Sequence, residues 1–124
     1  DEEARDLGRR YYPPYFELQC AHYESDSNPW ADIPEYQDFS RMFANLRKLT
    51  DPAELAPFMD SNLVGSPATI CRRIDQLAAL GFNYFMVSSA TPGTPIELRQ
   101  RMMTRFAEEV CPRYSRAMRQ KQAA

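Results

Sequence analysis

Residues 65–89 read GSPATICRRIDQLAALGFNYFMVSS, and the reading of this stretch decides the fold. Ser66 is a good N-cap, because its hydroxyl accepts from a free backbone N–H of a first helical turn. Pro67 then takes the first helical position, where a missing N–H costs nothing. Ile70, Ile74, Leu77 and Ala78 recur at helical spacing and form one apolar stripe. Arg72, Arg73, Asp75 and Gln76 fill the other face. Gly81 follows the last apolar turn and suits the left-handed position past a helix end. Tyr84-Phe85-Met86-Val87 is then a short apolar run that does not alternate, the pattern of a strand covered on both faces in a parallel sheet. Upstream, Leu63-Val64 reads as the end of another short strand. Strand, helix and strand in this order form a right-handed crossover.

Such crossovers repeat around a TIM (β/α)8 barrel, and 124 residues hold only about a quarter of one. The predicted class is α/β and mainly helical, a portion of such a barrel that is incomplete alone. Upstream, a charged helical pattern runs from Asp1 to about Tyr12 and is stopped by Pro13-Pro14. Tyr15 to Tyr23 reads as a second helix. Residues 25–34, SDSNPWADIP, are a turn-rich break. A helix follows, with Pro34 in its first turn and Tyr36, Phe39, Phe43 and Leu46 at helical spacing. Asp51 with Glu54 resembles a capping box for a short helix carrying Leu55, Phe58 and Met59. Downstream of the apolar run, residues 88–95 form a loop. Thr94 and Glu97 make a second capping box for a helix burying Leu98, Met102, Phe106 and Val110. Pro112 is expected to end or kink that helix.

Composition narrows the function classes. The chain is 44% hydrophobic and 26% charged with a formal net charge of −2, which argues against a general nucleic-acid or membrane-surface binder. No apolar stretch approaches the roughly 18 residues of a membrane span. The opening DEEARDLGRR is charged and does not read as a secretory signal. Its abrupt helical start suggests a cut within a larger protein. Cys20, Cys71 and Cys111 are odd in number and far apart, and His22 is the single histidine. This makes neither a zinc site nor a disulfide framework, and a reducing, cytoplasmic setting is expected.

No catalytic set is complete. His22, Cys71 and Cys111 read as packing residues. The aromatic series Tyr11, Tyr12, Tyr15, Phe16, Tyr23, Trp30, Tyr36 and Phe39 suits either a core or an apolar pocket. Arg99, Arg101 and Arg105 read as a solvated face. In a barrel, ligands lie at the C-terminal ends of strands, so the loops at Gly65-Ser66 and from Ser88 to Thr94 face the expected site. Both lead into helix N-termini, whose free N–H groups suit anions. The alternative is that Ser66 and Thr94 are only caps.

The run Leu63-Val64-Gly65-Ser66-Pro67, the helix closed by Leu80-Gly81, the segment Tyr84 to Val87, and Phe106-Ala107-Glu108-Glu109-Val110-Cys111-Pro112 resemble the C-terminal end of bacterial luciferase-like monooxygenases. The opening DEEARDLG is similar to the helix after the sixth barrel strand of that family. The likeness is specific over residues 61–113, looser over 1–24 and weak over 25–60. Asn83 stands where the family commonly has Asp, and Cys111 where it has Met or Leu.

The resemblance implies a TIM barrel that binds reduced FMN, or in some branches F420. Its FMN members use O₂ to oxygenate a small organic substrate. Residues 61–113 would supply the last two βα units, residues 1–60 a helical and lid region, and residues 114–124 a frayed basic tail. Gly65, Ser66, Ser88 and Ser89 are the candidates for the flavin side. No catalytic residue carries over, because the usual catalytic positions lie on earlier strands. Alone, such a segment is expected to be inactive. It is also expected to associate, as a homo-oligomer or with the rest of a barrel, because its strand edges and apolar face lack partners. A non-catalytic helical interaction module derived from that family is the alternative.

Overall fold

The computed structural model describes residues 1–24, 27, 29, 31–89 and 91–115. The chain is mainly helical. Helix α1 spans Glu2–His22, α2 Gln37–Lys48, α3 Leu55–Ser61, α4 Pro67–Ala79 and α5 Ile96–Arg105. Short 3-10 turns, Pro34–Tyr36 and Pro52–Glu54, lead into α2 and α3, and a π-helical segment Phe106–Val110 follows α5.

Where the sequence predicts two helices split at Pro13-Pro14, α1 is one continuous helix through both prolines. Neither proline donates to the helical ladder, and an interior proline costs about 3 kcal/mol or more. Packing offsets that cost. Pro13, Phe16 and Cys20 are buried along one face of α1. Phe58 of α3 meets Tyr12 and Phe16 edge-on, with ring centroids 5.0 and 5.1 Å apart.

The core is in two parts. Phe16, Leu55 and Met59 form one, flanked by Tyr12, Tyr15, Leu46, Leu49, Phe58 and Val64. Gly8 lets α1 approach α3 closely, since a Cβ there would lie 2.6 Å from the Met59 sulfur. Cys71, Ile74 and Val110 form the second part, flanked by Leu63, Ile70, Phe85, Phe106 and Tyr114. Phe43 of α2 is also buried, and its ring lies 4.9 Å from that of Tyr23. The neighbouring Tyr36, Phe39 and Met42 are exposed.

Helix α4 forms as its local sequence dictates. The Ser66 hydroxyl accepts from the Thr69 N–H at 3.3 Å. At the other end, Gly81 adopts a φ of +96°. Its N–H bonds the Ala78 carbonyl, and the Phe82 N–H bonds the Leu77 carbonyl, the paired bonds of a Schellman motif.

The expected strands at Leu63-Val64 and Tyr84 to Val87 do not form, and no strand occurs among the described residues. A parallel strand needs a neighbour for its N–H and C=O groups, and the described residues supply none. Only Phe85 of the apolar run packs against the core. Tyr84 and Met86 are 81% and 90% exposed.

The second capping box is also absent. Helix α5 starts at Ile96 with no side-chain cap. The Thr94 hydroxyl pairs instead with that of Thr91 at 2.8 Å, and the Thr94 carbonyl accepts from Arg99 Nε at 2.9 Å.

Pro112 does not end the last helix, which continues through Ser115. The preceding turn widens to a π segment, in which the Cys111 N–H reaches the Phe106 carbonyl. Such a bulge eases the clash of a proline ring with the carbonyl four residues back. Tyr114, assigned by sequence to a frayed tail, is held instead. Its hydroxyl donates to the Cys71 carbonyl at 2.7 Å and to Asp75 Oδ1 at 3.0 Å. Residues 116–124 of that expected tail lie outside the described residues.

Candidate functional site

An open groove of about 810 Å³ runs along α1. One wall is α1, through Leu7, Tyr11, Tyr12 and Tyr15. The segment from Leu63 to Gly65 and the extended segment from Phe85 to Ser89 form further walls, and α5 closes it through Leu98, Arg101 and Met102. The groove is largely apolar and aromatic, with hydroxyl groups from Ser88, Ser89, Thr91 and Thr94. One ion pair joins two of its lining residues, with Arg101 of α5 3.3 Å from Glu3 of α1. Burial pushes the Tyr12 hydroxyl pKa up, with a smaller contribution from Tyr15, so this phenol stays protonated at neutral pH.

Three of the four predicted site residues come together here. Gly65, Ser88 and Ser89 line the groove, although 23 residues or more separate the first from the others. Ser66 does not line it. The Ser66 N–H donates to Asp1 Oδ1 at 2.6 Å, and Thr69 Oγ1 donates to Asp1 Oδ2 at 3.1 Å. The N-terminus of α4, expected to face an anionic ligand, thus already holds a carboxylate of this chain. A negative group at a helix N-terminus is favoured by the free N–H groups and the helix dipole.

The approach of Asp1 explains Gly65. Its φ is +153°, and a Cβ would lie 2.8 Å from Asp1 Oδ1 and 2.7 Å from Thr69 Cγ2. Sequence reasoning missed this role of Asp1. An acidic residue opening a helical pattern reads as a cap of its own helix, and only the packing of α1 beside α4 sends the side chain elsewhere.

The aromatic series divides between its two readings. Tyr11, Tyr12 and Tyr15 line the groove, Phe16 is core, and Tyr23, Tyr36 and Phe39 are exposed. Trp30 lies outside the described residues. Arg99, Arg101 and Arg105, read as a solvated face, are each engaged, with the Thr94 carbonyl, Glu3 and Glu109 respectively. Cys20 and Cys71 are buried free thiols and Cys111 is a half-buried one. His22 packs edge-on to Tyr23, with ring centroids 4.8 Å apart, away from the groove.

Among the described residues no cluster of three His, Cys, Asp or Glu side chains could hold a metal ion, and the groove is lined by neither cysteine nor histidine. Nor is any described helix long and apolar enough to cross a membrane. The groove suits an apolar, planar group that also accepts hydrogen bonds from hydroxyls. It lacks a paired acid and base for proton-transfer chemistry of its own. No protein-family model, no curated protein and no solved structure matches the chain.

Proposed function

We propose that this chain is the C-terminal portion of a luciferase-like monooxygenase barrel and contributes one wall of its flavin site. The observation that carries the reading is the gathering of Gly65, Ser88 and Ser89 in one aromatic-walled groove. It agrees with the resemblance over residues 61–113. The Tyr84 to Val87 segment adds support, as an apolar run placed soon after the closed end of α4. In the full barrel, neighbouring strands would pair it.

The residues fit part of a flavin. Tyr11, Tyr12 and Tyr15 suit an isoalloxazine face, and the hydroxyls of Ser88 and Ser89 suit its polar edge. The N-terminus of α4 does not suit the flavin phosphate while Asp1 occupies it. When bound, reduced FMN would supply two electrons, and F420 in another branch would supply a hydride. With reduced FMN, O₂ would give one oxygen atom to a small organic substrate and the other to water. This chain's part is to orient the flavin and exclude water. The remaining barrel would supply the catalytic groups.

The test is flavin binding by the protein encoded when the reading frame is extended upstream of Asp1. That protein should bind FMN and consume the reduced form with O₂, or bind F420, while residues 1–124 alone should bind weakly or not at all. An extended protein that binds neither flavin overturns the reading.

A second reading, a non-catalytic interaction module, is favoured by the exposure of Phe82, Tyr84 and Met86 on an unpaired segment. Contiguous exposed apolar side chains recruit other chains. Size-exclusion chromatography with light scattering should then show a concentration-dependent dimer for residues 1–124. A monomer at high concentration counts against this reading.

A further inference from the structure

A second cavity, of about 240 Å³, lies where the first turns of α1, the end of α3 and one face of α4 meet. Arg5, Arg72 and Arg73 all line it, with Asp60 as its one carboxylate. Arg5 is paired to that carboxylate, its Nη2 lying 2.5 Å from Asp60 Oδ1. Arg72 and Arg73 have no carboxylate partner among the described residues. Their hydrogen-bond partners are neutral and distant. Arg72 Nη2 is 3.4 Å from Thr69 Oγ1, and Arg73 Nη1 is 3.3 Å from Gln76 Oε1.

Arg73 Nε is wholly buried and has no hydrogen-bond partner. A buried donor on a charged group is rarely left unpaired, because burial removes its water and nothing replaces it. The cavity is therefore lined by two guanidinium groups without a carboxylate partner, that of the exposed Arg72 and that of the half-buried Arg73, in a chain whose overall charge is negative. Guanidinium forks match the geometry of phosphate oxygens and can bind them in pairs. The volume lies below the roughly 300–1,000 Å³ of sites for drug-sized ligands, so a small anion fits better than a nucleotide.

We propose that this cavity is a binding site for a phosphate-type oxyanion, held by Arg72 and Arg73. The ion is either free phosphate or the phosphoryl group of a small metabolite. This site does not depend on the flavin reading. It is lined by the outer face of α4 and the end of α3, whereas Gly65, Ser88 and Ser89 line the groove.

The test follows the arginine Nε–Hε signals by NMR while inorganic phosphate is added to residues 1–124 at constant ionic strength. A parallel titration uses glycerol 3-phosphate. The Arg73 signal should shift and saturate, with a Kd on the order of 1 mM or tighter. R73Q and, separately, R72Q should each weaken binding by about tenfold, the loss of one charge-assisted contact. R41Q, an exposed arginine on α2, should leave it unchanged. Tighter binding of glycerol 3-phosphate identifies a phosphoryl ester as the ligand class, and tighter binding of inorganic phosphate identifies the free ion. A linear, non-saturating shift in both titrations overturns the proposal, as does an equal response to sodium chloride. Because the wild-type titration is decisive by itself, misfolding of a variant does not shield the proposal.

Discussion

The Asp1 carboxylate caps the helix that begins 66 residues later rather than its own. Its Oδ1 accepts from the Ser66 N–H at 2.6 Å and its Oδ2 from the Thr69 hydroxyl at 3.1 Å. Meanwhile α1, which starts beside Asp1, has no side-chain cap. The contact ties the start of the chain to the start of α4 and sets the shape of the loop at Gly65.

Removing that carboxylate should loosen α4. Asp1→Asn is expected to cost about 0.5–2 kcal/mol, the range for a lost N-terminal helix interaction. Ser66→Ala should cost a similar amount. Because both act on the same helix turn, the double variant should cost less than the sum. Urea unfolding followed by circular dichroism checks this, and strict additivity would show that the two groups act independently.

Leu55 is fully buried at the junction of α1 and α3. Leu55→Ala should destabilise by about 2–5 kcal/mol, through lost burial and the cavity left behind. In so small a core that is a large share of the typical total of about 5–15 kcal/mol. A shift in urea midpoint under about a tenth of the wild-type value would contradict it.

Gly81 closes α4 at a φ of +96° with open space around it. Gly81→Ala therefore meets no clash, only the conformational penalty of a left-handed residue, about 1–2 kcal/mol. Thermal unfolding should show a lower midpoint with unchanged helical signal before the transition.

Tyr114 carries a pH dependence. Burial first, then its hydrogen bonds to the Cys71 carbonyl and Asp75, push its pKa well above the ordinary phenol value. Tyr12 is pushed in the same direction by burial. A raised folded pKa means that the unfolded chain loses its proton first. The contribution is therefore complete below about pH 10 and is lost as pH rises from there through the folded pKa. Stability should fall above that point. In Tyr114→Phe the fall should be shallower, while at neutral pH the variant loses about 0.5–1.5 kcal/mol with its hydrogen bonds. Equal alkaline slopes for the two proteins would contradict the assignment.

Much of α4 was legible because its signals are local. Ser66, Pro67 and Gly81 act through their own backbone positions, and their roles do not wait on distant partners. The same holds for the Asp51 cap, whose carboxylate accepts from the Ala53 N–H at 2.9 Å. Prolines 13, 14 and 112 misled for the opposite reason. Each is a strong local breaker, yet burial of Pro13 and Phe16 keeps α1 continuous, and a π bulge carries the last helix past Pro112. Gly65, Ser88 and Ser89, singled out from the sequence, line one groove, while the occupancy of the α4 N-terminus by Asp1 was not legible.

The sequence by itself determined where α4 starts and stops and that the chain is mainly helical. Capping, helical periodicity and glycine's access to positive φ are properties of neighbours along the chain. Tertiary structure alone decided that Asp1 fills the α4 N-terminus, that Tyr114 docks on Cys71 and Asp75, and that Tyr84 to Val87 forms no strand. Those outcomes depend on which groups are brought close from far along the chain, and a strand in particular cannot form until another backbone lies beside it.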